Sequence, residues 1–251
     1  MIGYAIDVSH HQPPSAVPWD SLRGRVQAVM VRAANGVTLD ERAREHVQRS
    51  RGIGAAVGLY SFFRSEQNYA DQVVALLRQS EACGIGTGDI CPALDIEDDP
   101  ANGRTVSPSW SVPCEKFVER CEQEFGSALV YISQRGWSML GKPEWVLHRP
   151  LWVAHYTTAT APASPAGMPA ALWQHRVGPF DAFGPGGYFG SGTALQVDQN
   201  RILQPLPLVG YRPTSDEQER VRALVAETLR AGVQDADTDP SELAPETPRS
   251  V

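Results

Sequence analysis

Lysine is nearly absent from this chain of 251 residues, which holds only Lys116 and Lys142. No run of clustered Lys and Arg occurs and the formal net charge is −7, so the basic footprint that neutralises nucleic-acid phosphates is missing. Arginine carries most of the positive charge, a bias that fits GC-rich coding and hints at a high-GC bacterium or its phage. No uninterrupted apolar stretch is long enough to span a bilayer. Nor does a basic segment with an apolar core open the chain, since Met1 to Asp7 runs directly into a strand-like pattern. The expectation is a soluble protein that follows no signal-peptide route and inserts in no membrane. The four cysteines are few for a disulfide framework. Cys114 and Cys121 lie on one predicted helix, roughly 10 Å apart along its axis and too far to bridge. All four read as small apolar core residues, although spacing leaves a Cys83 to Cys91 bridge open.

What is present is a chain with 42% hydrophobic residues, enough for one large core and close to the usual size of an α/β barrel. Short apolar or β-branched runs recur at 4–8, 26–32, 55–62, 90–96, 128–133, 151–156, 171–175 and 193–198, giving eight candidate strands. Helical patterns separate the earlier ones. Asp40 is placed to cap a segment ending at Gly52, and Ser65 to cap one whose Tyr69, Val73, Leu76 and Leu77 share a face. The clearest helix follows Ser111, where Cys114, Phe117, Val118, Cys121 and Phe125 repeat at helical spacing before Gly126. A short helix fits 134–140. The later connections, 157–170 and 176–192, are rich in Thr, Ala, Gly and Pro and lack helical periodicity. The expected fold is therefore an α/β, TIM-like barrel of eight strands with helices mainly in the first five units, (β/α)5(β)3.

Residues 1–210 form the expected barrel domain, and composition shifts after them. Thr214 and Ser215, spaced as a capping box with Glu217 and Gln218, open an amphipathic helix expected over 211–232. Its stripe of Val221, Leu224, Val225 and Leu229 is narrow, and must dock on the barrel, on a partner or on a second copy. Residues 233–251 are acidic with scarcely any large apolar side chain, so disorder is expected there.

The strongest chemical signal lies in Ala93-Leu94-Asp95-Ile96-Glu97. Side chains alternate across a strand, so Asp95 and Glu97 share one face and Leu94 and Ile96 the other. In a barrel the apolar pair belongs against the helices, which leaves the acids facing inward. Asp7 at the end of the first strand, and Asp198 with Gln196 in the last, follow the same logic. Four acids then gather at the C-terminal mouth, where barrel enzymes place their chemistry. Arg32, Arg64 and Arg104 are the candidate counter-ions. Such a cluster could be hydrogen-bonded at the rim or bind a cation, but paired carboxylates of unequal acidity are what glycosidic cleavage requires. Tyr60, Phe62, Tyr131, Trp152 and Tyr156 can reach the same mouth and stack on sugar rings, with Gln174 and Gln196 as further polar contacts. His10 and His11 suggest a metal pair, but their spacing matches no standard zinc site, and no metal or cofactor is expected.

These residues resemble glycoside hydrolase family 25, the lysozymes of the Chalaropsis and phage-endolysin type. The matching pieces occur in the family's order: Ala5 to His10 with Trp19 downstream, Met30 to Ala33, Gly58 to Phe62, Leu94 to Glu97, Leu151 to Tyr156, Leu172 to Gln174 and Val197 to Asn200. The resemblance covers residues 3 to about 203 and implies a barrel of five β/α units and three further strands. It also implies hydrolysis of the β-1,4 bond between N-acetylmuramic acid and N-acetylglucosamine, with peptidoglycan glycan strands as partner and Asp7, Asp95, Glu97 and Asp198 as the active-site acids. Two departures stand out. Ser61 replaces a usual His and His175 a frequent Tyr, both on the face that alternates away from the mouth. The rivals are a non-catalytic peptidoglycan-binding or virion module on the same barrel, and a chitinase-like glycosidase. With no leader segment read at the start, the expected protein is made in the cytoplasm and reaches the wall after release, as a phage endolysin or a virion-associated lysin.

Overall fold

The computed structural model describes residues 3–180, 196–210 and 214–232. In chain order the strands are β1 (Gly3–Val8), β2 (Ala28–Asn35), β3 (Thr38–Leu39), β4 (Ala56–Phe62), β5 (Ile90–Asp95), β6 (Leu129–Ile132), β7 (Leu151–Ala154), β8 (Ala170–Pro179) and β9 (Gln196–Ile202). The helices are α1 (Trp19–Leu22), α2 (Ala43–Gly52), α3 (Tyr69–Ala82), α4 (Ser111–Phe125), α5 (Gln134–Met139) and α6 (Ser215–Gly232). Strands β1, β2 and β4 to β8 pair in parallel, while β9 runs antiparallel between β8 and β1 and closes an eight-stranded barrel. The two-residue β3 is a hairpin return on β2. Helices follow each of the first five barrel strands, and only 3-10 turns occur among the described residues of the later connections, as the sequence pattern implies.

Helix α4 illustrates why these segments fold as they do. Cys114, Phe117, Val118, Cys121 and Phe125 form its buried stripe. Gly126 then adopts φ 91°, a left-handed conformation open to glycine, and its N–H returns to the Glu122 carbonyl to end the helix. All four cysteines are buried free thiols, so Cys83 and Cys91 are unbridged. Burial raises the Cys83 thiol to about 11 and the Cys91 thiol to about 12, which keeps both protonated and inert. Inside the barrel, Gly58 makes room for Met30: a Cβ there would fall 2.7 Å from the Met30 sulfur.

Four expectations need correcting. Asp40 does not cap α2, whose N-terminal cap position is Arg42 with no side-chain cap; its Oδ1 accepts the Arg42 N–H at 3.0 Å in the turn before the helix. Helix α3 is capped by Asn68, whose side chain accepts from the Ala70 N–H at 2.9 Å, and not by Ser65, because α3 begins only at Tyr69. The last strand spans Gln196–Ile202 where 193–198 was expected, and 193–195 lie outside the described residues. In the tail helix the capping box forms, with the Thr214 N–H donating to Glu217 Oε2 at 2.7 Å and the Glu217 N–H to Thr214 Oγ1 at 3.3 Å. Only half of the stripe docks, however. Val225 is buried and Leu229 packs against the core, while Val221 and Leu224 remain exposed. Helix α6 rests on the 3-10 turns Glu144–His148 and Pro165–Gly167, which lead into β7 and β8 at the end of the barrel opposite the acids. Residues 233–251 lie outside the described residues.

Candidate active site

Alternation puts Leu94 and Ile96 against the helices, both buried, and turns Asp95 and Glu97 to the barrel axis. Asp95 is 3% exposed, in register with Phe62 of β4 and Tyr131 of β6, and its carbonyl accepts the Phe63 N–H. Glu97 lies just past the strand end and is half-buried. Asp7 and Asp198 are direct register partners across the β1/β9 ladder. Because β9 runs antiparallel, it is the start of that strand, and not its end, that sits at the mouth.

The side chains around these acids form one connected network. Asp7 is 3% exposed, and its Oδ2 accepts from Gln174 Nε2 at 2.9 Å and from Asn200 Nδ2 at 2.8 Å. The Asn200 Oδ1 in turn accepts the Trp152 indole N–H at 2.7 Å. The Gln174 Oε1 accepts both the Tyr131 hydroxyl, at 2.7 Å, and the Tyr156 hydroxyl. The Tyr131 oxygen lies 3.5 Å from Glu97 Oε2, and the Tyr156 oxygen 3.3 Å from Asp198 Oδ1. The acids are thus linked by amides and phenols that reach the mouth from β6, β7, β8 and β9.

The remaining candidates divide by burial. Trp152 is 1% exposed and packs edge-on under Tyr60 and Tyr131, so in this structure its ring is a floor beneath the site with no face free for a sugar. Tyr60 is buried as well. Phe62 and Tyr156 are half-buried and closer to solvent, with the Arg64 guanidinium 4.9 Å over the Phe62 ring. Gln196 stands apart from the network, its backbone carbonyl accepting from the Gln12 side chain at 3.3 Å. The arginines expected as counter-ions pair with other acids on the rim: Arg32 with Asp40, Arg64 with Asp99, and Arg104 with Glu66 and Asp99. His10 joins the Arg32 and Asp40 pair and stacks on His11. Among the described residues no group of three His, Cys, Asp or Glu could hold a metal ion.

Ser61 and His175 are fully buried on the outward phase of β4 and β8. His175 packs against Trp173, and burial, with Arg201 and Arg176 nearby, lowers its imidazole to about 4. Asn200 is the residue that sequence reading passed over. It shares the inward phase with Asp198, a signal lost because the strand was ended at 198.

Acids gathered at one mouth of a closed barrel fit glycosidic cleavage, and the family comparison makes the class plain: this is a glycoside hydrolase. The model of the glycosyl hydrolases family 25 matches residues 6–178, and the chain belongs to that family. Solved structures agree on the fold. A lysozyme from Streptomyces coelicolor superposes with TM-score 0.64 at 23% identity, covering 90% of this chain and 98% of that one. The catalytic domain of endolysin ply40 from Listeria monocytogenes bacteriophage P40 gives TM-score 0.59 at 23% identity, covering 88% and 98%. A family 25 lysozyme from Aspergillus fumigatus gives TM-score 0.65 at 22% identity, covering 82% and 95%. The chain matches no curated protein sequence.

Proposed function

We propose that the chain hydrolyses the β-1,4 bond between N-acetylmuramic acid and N-acetylglucosamine in peptidoglycan, by retaining, substrate-assisted catalysis. The observation that carries this is the gathering of Asp7, Asp95, Glu97 and Asp198 at one mouth of a family 25 barrel. That similar folds belong to a bacterial lysozyme and a phage endolysin supports a cell-wall glycan as substrate. Glu97 donates its proton to the glycosidic oxygen as the bond to C1 breaks. The carbonyl oxygen of the substrate's own 2-acetamido group bonds to C1, forming an oxazolinium that Asp95 orients and stabilises. Water then attacks C1, the ionised Glu97 takes its proton, and the ring opens with the β configuration kept. In an inverting alternative, water attacks directly with a second carboxylate as base. Asp7, nearly enclosed and holding two amides on one oxygen, suits an orienting role, which leaves Asp198 as that base.

Glu97→Gln should fold normally and lose at least about a hundredfold in the rate of wall solubilisation. Near-native activity in the folded variant would remove Glu97 from the role. NMR of the product at early times should reveal the β anomer and reducing muramic acid. An initial α anomer would transfer the reaction to inversion, and reducing glucosamine would reassign the bond. The route to the wall we propose is release after synthesis, as an endolysin or a virion-associated lysin. Among the described residues no helix is long and apolar enough to cross a membrane.

A further inference from the structure

The network around Asp7 has a direction, because two of its members, the Trp152 indole and the Asp7 carboxylate, can hydrogen-bond in only one sense. An indole N–H can only donate, so Trp152 fixes Asn200 with its carbonyl toward the ring and its NH2 toward Asp7. The same Asp7 Oδ2 faces Gln174, and an ionised carboxylate accepts only, so Gln174 must also present its NH2 there. The Gln174 carbonyl oxygen is thereby turned to the two phenols, and each phenol spends its single proton on it. What Tyr131 then directs at Glu97 is an oxygen lone pair, not an O–H.

We infer that Gln174 is a positioning residue for the acid: by taking the Tyr131 proton it makes Tyr131 an acceptor toward Glu97 and so holds the catalytic proton on Glu97 before substrate arrives. This rests on the assignment of Glu97 as general acid above. Contacts of this kind are often long in an empty site and tighten with substrate, so the 3.5 Å separation fits a contact whose direction is set in advance. A hydrogen bond to the neutral form of a carboxyl raises its pKa, whereas a phenol donating to the carboxylate would lower it. The other charged groups at the mouth are Asp95 on the same strand, Asp7 on β1, and Asp198 on β9 with Tyr156 beside it. Asp98 is tied to Arg135 of α5 at 2.6 Å, Asp99 to Arg64 and Arg104, and Asp40 to Arg32. None of these arginine pairings involves Gln174, but its replacement also takes one amide from Asp7 and frees the Tyr156 proton beside Asp198, so Tyr131→Phe is the cleaner variant.

The test is the basic limb of kcat/KM against pH on purified walls, which reports the acid of the free enzyme. Tyr131→Phe should move that limb down by about one pH unit, because the acid proton loses its acceptor. If Tyr131 instead donated to a Glu97 carboxylate, the limb would rise, so the sign alone decides. Gln174→Met, close in volume, should also lower the limb as Tyr131 turns its proton to Glu97. In the Tyr131→Phe background the Gln174→Met change should shift the limb by less than it does alone, the remainder coming from the amide lost at Asp7 and the proton freed on Tyr156. A limb that rises or stays put in Tyr131→Phe, or an additive double variant, overturns the proposal. Should Gln174→Met fail to fold, the Tyr131→Phe sign stands by itself. Glu97→Gln separates the two layers: a basic limb that persists there overturns the acid assignment and this proposal together. A limb lost there but rising in Tyr131→Phe overturns this proposal alone.

Discussion

The two arcs of the barrel are built on different physics. From β1 through β6, outward side chains such as Val29, Val31, Leu59 and Leu94 are buried, with helices following the strands, and the inward ends carry Asp7, Asp95 and Glu97. Across β8 and β9 no helix intervenes among the described residues, and the outward phase holds Trp173, His175, Gln199 and Arg201, with Arg201 5.4 Å over the Trp173 ring. The inward phase of this arc supplies Gln174, Asp198 and Asn200. One arc provides most of the acids and an apolar backing for them. The other provides the amides that orient them, and its backing mixes Ala171, Trp173 and Val197 with His175, Gln199 and Arg201.

This contrast can be broken most severely in the apolar arc. Phe117 of α4 is fully buried, and Phe117→Ala should cost about 3–5 kcal/mol by denaturant titration. A loss under about 1 kcal/mol would mean that the helical layer is not what supports β5.

In the arc of β8 and β9 the expected effect is one of pH. His175 has its folded value lowered to about 4, below the ordinary 6.5, so the unfolded chain binds more protons between those values. Stability should therefore rise with pH from about 4 to 6.5 and be flat in this respect above. His175→Leu should flatten part of that slope, worth ~1–3 kcal/mol in all. His46, also lowered by burial, supplies a residual slope of the same sign. A melting profile identical in the variant and the parent would show that His175 does not titrate differently on unfolding.

The smallest effect is expected where neither arc is involved. Val225 of α6 is buried at the opposite end from the acids, and Val225→Ala should cost ~1–2 kcal/mol while leaving wall cleavage unchanged. Deleting 211–251 should likewise lower the melting temperature and spare activity. Unchanged melting together with lost self-association or co-sedimentation would instead assign the helix to a partner through Val221 and Leu224.

Much of this was legible in the sequence for a local reason. A strand has a period of two, so Ala93 to Glu97 declares which side chains share a face, and Asp7 follows by the same count. The stripe of α4 declares itself at a period of 3.6. Strand direction has no such signature, since an alternating pattern reads equally well either way. That is why the antiparallel sense of β9, the placement of Asp198 at its beginning and the role of Asn200 came only from the structure. Hydrogen-bond partners are likewise a tertiary property: the arginines expected as counter-ions of the site acids pair instead with Asp40, Asp99 and Glu66.

The β1/β9 ladder has a further consequence in time. Asp7 and Asp198 meet across almost the whole length of the domain, and such long-range closure is slow and comes late in folding. A chain still emerging from the ribosome, or cut before Gln196, carries three of the four acids but not the strand that seals the barrel or the Asn200 that holds Asp7. A copy that stops short of this strand therefore lacks an assembled site, whereas one that reaches Ile202 holds all four acids and a closed barrel whatever follows.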